Sequence, residues 1–141
     1  MANEITLVFL TTKHAAPHFR VRGGGAIINV RSNVSLEGSP AVPGGGVHSA
    51  AKGAVRAMTN HLFSELASLN IRVNTITPSV IDTPALDYWK NIPEAFEQFT
   101  ENQAIARPGR PEEAAYAAPY LASDEAAFIT GANIIVDNES R

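Results

Sequence analysis

The sequence predicts a single α/β domain, residues 1–141, built on a parallel sheet of about three strands with flanking helices. Segments with helical periodicity separate three short apolar runs that are typical of buried strands, namely Ala26–Val30, Ile71–Thr77 and Asn133–Val136. Strands that alternate with helices of this length are joined by right-handed crossovers and form a parallel sheet. A chain of 141 residues with 45% apolar residues is sufficient for one core.

Composition excludes several classes of protein. Eleven Lys and Arg against fourteen Asp and Glu give a net charge of −3, which argues against a nucleic-acid partner. The absence of cysteine excludes disulfides and thiolate metal sites. The apolar run near the N-terminus contains Glu4 and ends at Lys13, so we expect it to be neither a signal peptide nor a membrane span. We therefore expect a cytoplasmic protein with no nucleic-acid and no membrane partner.

Two strong helices are predicted. Helix 5–19 carries an apolar stripe, with a kink expected at Pro17, and the glycines 23–25 end it. The stripe consists of Ile5, Val8, Phe9, Thr12, Ala15, Ala16 and Phe19. Helix 48–69 repeats apolar residues at steps of three and four, and Asn70 is predicted to cap it. Its stripe consists of Ala51, Val55, Met58, Leu62, Leu66 and Leu69.

The remaining segments are less regular. Residues 31–47 are rich in Gly and Pro and are predicted to be a loop, while residues 84–106 have a weaker helical pattern. Another helix is expected from Pro111, with Glu112 and Glu113 in its first turn, where the helix dipole favours anions. This helix is predicted to continue to Ala122. Pro119 lies inside it and is expected to lower the stability of the fold by ~3 kcal/mol.

Six motifs occur in order along nearly the whole chain: VFLTTKHAAPHF, GGGAIINVRS, HSAAKGAVRAMT, IRVNTITPSVIDTP, ARPGRPEEAA and LASDEAAFITGANIIVD. Together they resemble the C-terminal half of a short-chain dehydrogenase/reductase. The resemblance implies a partial Rossmann-like, doubly wound parallel sheet. It also implies hydride transfer between NAD or NADP and an alcohol or carbonyl substrate.

The family's glycine-rich phosphate turn, T-G-x-x-x-G-x-G, is not found in this sequence, and neither is its N-N-A-G segment. Glycines 23–25 precede a strand, and glycines 44–46 follow a long loop, so neither triplet has the context of a phosphate cradle. We therefore expect the N-terminal nucleotide-binding half to be missing, and cofactor binding to be weakened accordingly.

The family uses Asn, Ser, Tyr and Lys for catalysis, and the resemblance finds two of these four positions, the serine and the lysine, retained. Lys52 matches the lysine, but His48 stands where Tyr is expected, one helical turn earlier. The end of the predicted strand favours Ser32 as the serine, whereas the spacing to His48 favours Ser35. His48 is either a replacement general base or a histidine retained after activity was lost. We expect the second.

The resemblance also bears on positions near these catalytic residues. Arg31 replaces a small residue and either faces the cleft or forms a salt bridge on the outer surface, and we expect the second. The family asparagine falls at Glu4, with Asn3 one place away, and neither residue is assigned a role. After the second strand, the resemblance places Pro78, Ile81 and Thr83 against the nicotinamide. Thr83 is equally well interpreted as a helix N-cap.

Ser79 replaces a family glycine, which raises the question of whether a positive φ is required there. Trp89, Phe96 and Phe99 are interpreted as lid or core residues, with a pocket wall as the alternative. His14 and His18 have the spacing of a helical metal pair, but Pro17 lies between them and no third ligand is evident, so no metal site is predicted.

Three functions remain open at this point. The first is an NAD(P)-dependent oxidoreductase, impaired or incomplete as this chain stands. The second is a non-catalytic pseudoenzyme that forms a homo-oligomer through helices 5–19 and 48–69, as the resemblance implies. The third is a cofactor-independent acid–base enzyme that reuses Ser32, His48 and Lys52.

Overall fold

The computed structural model describes residues 2–37, 45–101 and 103–138, so the central part of the predicted loop lies outside the described residues. The three strands are β1 (Gly25–Val30), β2 (Ile71–Pro78) and β3 (Asn133–Val136). The helices are α1 (Ala2–Arg22), α2 (Val34–Glu37), α3 (Gly46–Glu65), α4 (Asp87–Lys90), α5 (Pro93–Glu101), α6 (Pro111–Ala115) and α7 (Ala117–Ala122). Short 3₁₀ turns cover Ala67–Leu69, Pro84–Leu86 and Asp124–Ala126.

The sheet has the order β1–β2–β3, and both pairs of strands are parallel. Ile27 pairs with Val73, and Ile76 pairs with Ile134. The predicted fold class is therefore confirmed. Because all three strands run in the same direction, their carboxyl ends meet at one edge of the sheet.

Alternate residues of β2 contact helices on opposite faces of the sheet. Ile71 and Val73 form the buried core with Leu66 and with side chains of α1 and α3, including Phe19. Arg72 lies between them in the sequence and donates hydrogen bonds to main-chain carbonyls at the end of α7 and beyond it, at Leu121, Ser123 and Ile129. Helices thus cover both faces, as a doubly wound sheet requires.

The first helix is longer than predicted. α1 continues through Pro17 to Arg22, and the chain then turns at Gly23, which has a φ of 83°. Glycine allows this left-handed turn without a steric penalty. Most of the predicted stripe faces the protein, but Phe9 is 52% exposed.

The region around α3 differs from the prediction at both ends. α3 begins at Gly46 and ends at Glu65, where a 3₁₀ turn replaces the predicted last helical turn. Asn70 then adopts the left-handed conformation with a φ of 57°, so its predicted role as a cap is confirmed. The predicted loop 31–47 contains the short helix α2 and the start of α3.

Pro119 does not interrupt a helix. The predicted helix from Pro111 to Ala122 is divided at Tyr116 into α6 and α7, and Pro119 lies in the first turn of α7. A backbone N–H in the first turn has no partner within the helix, so proline is tolerated there. The prediction that Pro119 lies inside one continuous helix was therefore wrong. No described helix is both long and apolar enough to cross a bilayer.

Candidate active site

A cleft of about 1060 Å³ lies at the carboxyl ends of β1 and β2. All six residues that the sequence analysis singled out for catalysis or cofactor contact line this cleft: Ser32, His48, Lys52, Pro78, Ile81 and Thr83. Three separate segments supply them, namely the end of β1, the first turns of α3 and the segment after β2. The parallel sheet is what brings these segments to one edge.

His48 and Lys52 lie one turn apart on α3 and share one acidic neighbour. Oε1 of Glu4, in the first turn of α1, is 3.5 Å from His48 Nδ1 and 3.7 Å from Lys52 Nζ. The Lys52 ammonium also donates to the main-chain carbonyl of Val30 at 3.4 Å. The sequence analysis assigned no role to Glu4. Its position five residues before Phe9, where the family asparagine falls, was the available signal.

Ser32 and Ser35 lie in different environments. The Ser35 hydroxyl donates to the Ser32 carbonyl at 2.6 Å and accepts a hydrogen bond from Arg31 Nη2 at 2.8 Å. Ser35 thus holds the turn that leads into α2. Ser32 lines the cleft beside Lys52. The geometry favours Ser32 as the counterpart of the family serine.

The expectation for Arg31 was wrong. Its side chain is 3% exposed and lines the cleft, and Nε donates to the Lys52 carbonyl at 3.4 Å. Among the described residues, Nη1 has no hydrogen-bond partner. Burial lowers the pKa of the Arg31 guanidinium, and the positive charge of Arg56 lowers it further. Arg31 points inward because it continues the strand face on which Asn29 bonds to Thr59 of α3.

The segment after β2 forms the opposite wall of the cleft. Ile81 makes a parallel bridge with Gly109, where a Cβ would lie 2.8 Å from the Ile81 side chain. Thr83 occupies the N-cap position of the next turn, but its side chain makes no capping bond. Asn70 is the only described non-glycine residue with a positive φ, so the replacement at Ser79 introduces no left-handed strain.

The aromatic residues beyond this segment lie in different places. Trp89 lines the cleft, which agrees with the alternative prediction of a pocket wall, and its ring packs edge-to-face on Tyr88 at 5.2 Å. Phe96 is half-buried in α5, whereas the side chain of Phe99 lies outside the described residues. The cleft therefore combines a polar corner, formed by Ser32, His48 and Lys52, with an apolar wall.

Fold and cleft together define a doubly wound α/β domain with its polar residues at the carboxyl edge of the sheet. The profile of the family described as enoyl-(acyl carrier protein) reductase matches residues 1–138. The chain belongs to this family, within the short-chain dehydrogenases/reductases that the sequence motifs resemble.

Curated relatives of known activity match over most of the chain. A cyclopentanol dehydrogenase of Comamonas testosteroni is 36% identical over 134 residues, which cover 95% of this chain and 52% of the relative. A 3alpha-hydroxysteroid dehydrogenase of Mediterraneibacter gnavus is 37% identical over 139 residues, which cover 98% and 53%. The chain thus spans about half the length of the curated relatives it matches.

Solved structures show the same proportion. The TT0495 protein of Thermus thermophilus superimposes with a TM-score of 0.92 at 32% identity, covering 97% of this chain and 57% of that structure. A 4-hydroxyisoleucine dehydrogenase complexed with NADH superimposes with a TM-score of 0.84 at 29% identity, covering 93% and 53%. The partial Rossmann-like fold predicted from the sequence is therefore confirmed.

Proposed function

We propose that the cleft is the substrate and nicotinamide side of an NAD(P)-dependent oxidoreductase site that acts on a small-molecule alcohol or carbonyl. The observation that carries this proposal is the convergence of six residues from three segments on one cleft. Relatives named as dehydrogenases of cyclopentanol and of a hydroxysteroid support the substrate class. A related dehydrogenase complexed with NADH supports the cofactor class.

The residues of the cleft fit a nicotinamide. Pro78, Ile81 and Thr83 form a wall with two apolar members, on which an aromatic ring can lie, and the Thr83 hydroxyl is not used as a cap. The Lys52 side chain is 18% exposed and lines the cleft, so its ammonium can bind a ribose hydroxyl. When bound, NAD or NADP would supply the hydride acceptor or donor.

The polar corner has a role for each of its side chains. The Ser32 hydroxyl holds the substrate oxygen by a hydrogen bond. The sequence favoured His48 as a histidine retained after activity was lost, but because it lines the cleft together with Lys52 we assign it the proton exchange with that oxygen in place of the family tyrosine. Lys52 places a positive charge beside both groups. An imidazole can accept or donate a proton near neutral pH, so the loss of the tyrosine impairs the site without removing its acid–base chemistry.

The adenosine half of the cofactor needs a further part of the fold. A groove of about 480 Å³ lies between α1 and β1, and both Glu4 and Lys52 line it. Within the described residues, β1 pairs with β2 only. The other edge of β1 therefore offers free backbone groups to a further parallel strand. We expect this strand to belong to a nucleotide-binding half.

Calorimetric titration with NADH and NADPH tests the proposal. The chain is titrated alone and after it has been mixed with the separately expressed N-terminal half of the Comamonas cyclopentanol dehydrogenase. We expect saturable binding only in the mixture, because only the mixture has a phosphate cradle. Saturable binding by the chain alone would show that the second half is dispensable, which contradicts the preceding inference about the groove.

His48→Tyr is the matching activity test in the same mixture. It restores the family's proton donor beside Lys52, so we expect turnover of cyclopentanol to increase. If the mixture forms a stable complex and still binds no cofactor up to millimolar concentrations, the oxidoreductase proposal is wrong.

A second candidate function is that of an oligomerisation module through helices 5–19 and 48–69. Large apolar side chains on α1 favour it, because Leu7 is 67% exposed and Phe9 is 52% exposed. Apolar surface of this kind on a helix is typical of association sites. We expect sedimentation to show a homo-oligomer that Leu7→Glu disrupts. Tyr116→Glu, also at an exposed position but outside the two helices, is the matched control. A monomer at all concentrations would contradict this function.

A further inference from the structure

Glu4 reaches the polar corner from the side opposite to the cleft. Its carboxylate lines the groove between α1 and β1, whereas His48 lines the cleft, and Lys52 lines both. The contact joins Oε1 of Glu4 to Nδ1 of His48 at 3.5 Å and to Lys52 Nζ at 3.7 Å. The ring nitrogen that does not face the carboxylate is Nε2.

A carboxylate and an amide act differently at this position. An ionised carboxylate only accepts hydrogen bonds, whereas an amide can donate as well as accept. A neutral imidazole carries one N–H group, and an acceptor beside Nδ1 favours placing the proton on that nitrogen. Lys52 is only a donor, so it cannot compete with Glu4 for this proton, and its charge balances that of the carboxylate.

We propose that Glu4 is a positioning residue that holds His48 as the Nδ1–H tautomer, so that Nε2 exchanges a proton with the substrate hydroxyl. This inference rests on the proposed function of the cleft. In the step itself, the hydroxyl O–H bond breaks and an Nε2–H bond forms, while the electron pair of the broken bond stays on the substrate oxygen. Throughout this step the carboxylate of Glu4 keeps the ring oriented with Nδ1 towards it, as in other acid–base sites that pair a carboxylate with histidine.

The pairing of Glu4 with His48 also gives a reason for two departures from the family pattern at once. The family places a neutral amide and a phenol at these two positions, as the resemblance implies. Here both positions differ, and the two side chains contact each other. A single replacement by histidine would leave the tautomer unspecified. The second replacement supplies the acceptor that specifies it.

The test is the tautomer of His48, read from long-range proton–nitrogen correlations of the whole chain labelled with ¹⁵N-histidine. Spectra are recorded in alkaline buffer, where the imidazoles are neutral, and His48→Gln assigns the signal. We expect the Nδ1–H form of His48 to exceed the Nε2–H form, because the Glu4 carboxylate faces Nδ1. Glu4→Ala should remove this excess, and alanine preserves α1 because it favours helix.

His61 provides an internal control, because a carboxylate faces its other ring nitrogen, Nε2. Oε2 of Glu65 lies 3.5 Å from Nε2 of His61, one turn away on α3. Glu65→Ala should therefore change the His61 signals and leave those of His48 unchanged. A predominant Nε2–H tautomer of His48 in the unmodified chain, or no change with Glu4→Ala, would overturn the proposal.

These outcomes are separate from the failure of the proposed function, because the spectra need neither cofactor nor substrate. An Nδ1–H tautomer that depends on Glu4, found in a mixture that binds no cofactor, would support the pairing and refute the oxidoreductase site. Cofactor binding with a tautomer that is insensitive to Glu4 would support the oxidoreductase site and refute the pairing of Glu4 with His48.

Discussion

Arg31 donates a hydrogen bond from Nη2 to the hydroxyl of Ser35 at 2.8 Å, and that hydroxyl donates onward to the Ser32 carbonyl. The Ser35 hydroxyl is thus used twice within the turn after β1. The two candidate serines, of which the sequence favoured Ser32, are separated by this arrangement, because Ser35 is structural and Ser32 lines the cleft.

Ser35→Ala should lower the free energy of unfolding by roughly 1–3 kcal/mol, because it leaves a buried guanidinium N–H without its acceptor. Ser32→Ala should change it by less than about 0.5 kcal/mol, as is usual for a substitution that breaks no buried hydrogen bond. Urea denaturation of both variants measures the difference. A larger loss with Ser32→Ala would reverse the two assignments.

Arg31→Met should leave the stability unchanged or increase it by as much as about 1–4 kcal/mol, because it replaces a buried cation with an apolar side chain of similar length. The guanidinium is 3% exposed, and burial lowers the pKa of Arg31. Arg31→Ala is the control, since it removes the charge but also creates a cavity, and it should be destabilising. Thermal unfolding of the two variants gives the order. If Arg31→Met were destabilised relative to the unmodified chain by as much as Arg31→Ala, the charge itself would be required.

The regular part of the fold could be predicted from sequence because it depends on local periodicity. The bounds of β3 and the left-handed cap at Asn70 are as predicted, since each depends on residues close together in the chain. The six cleft residues could be named because the sequence carries, in order, the motifs of the family that it resembles. Features that are set by local residues at a single position could therefore be predicted from the sequence.

The remaining features depend on how distant segments meet. Glu4 contacts His48 only because the first turn of α1 passes the start of α3, and no periodicity reports such a crossing. Arg31 was expected at the surface because arginine is rarely buried, and its strand face overrides that preference. The division at Tyr116, which places Pro119 in the first turn of α7, was likewise not predicted from the helical pattern.

Two glycines should respond in opposite ways to substitution by alanine. Gly24 has a φ of 147°, and a Cβ there would lie 2.6 Å from the Asn70 carbonyl oxygen, so Gly24→Ala should be strongly destabilising. Gly53 lies within α3 with open space around it, and Gly53→Ala should stabilise by about 0.5–1 kcal/mol. Circular dichroism melts of the two variants provide the comparison. A stable Gly24→Ala variant would contradict the close approach of the turn to Asn70.

The stability of the segment around α6 should depend on pH through Glu113. The Arg107 guanidinium donates two hydrogen bonds to this carboxylate at 2.9 Å, and the Arg110 backbone N–H donates a third. These bonds, those of Arg107 foremost, lower the pKa of Glu113 from 4.5 to about 2. A folded-state pKa below the unfolded value stabilises the protein above that unfolded value, and the contribution is lost as the pH falls towards about 2. Melting temperatures of Glu113→Gln should therefore fall less steeply over this range than those of the unmodified chain. Glu112→Gln, its neighbour on α6, should retain the full slope, and equal slopes for all three proteins would exclude a role for Glu113.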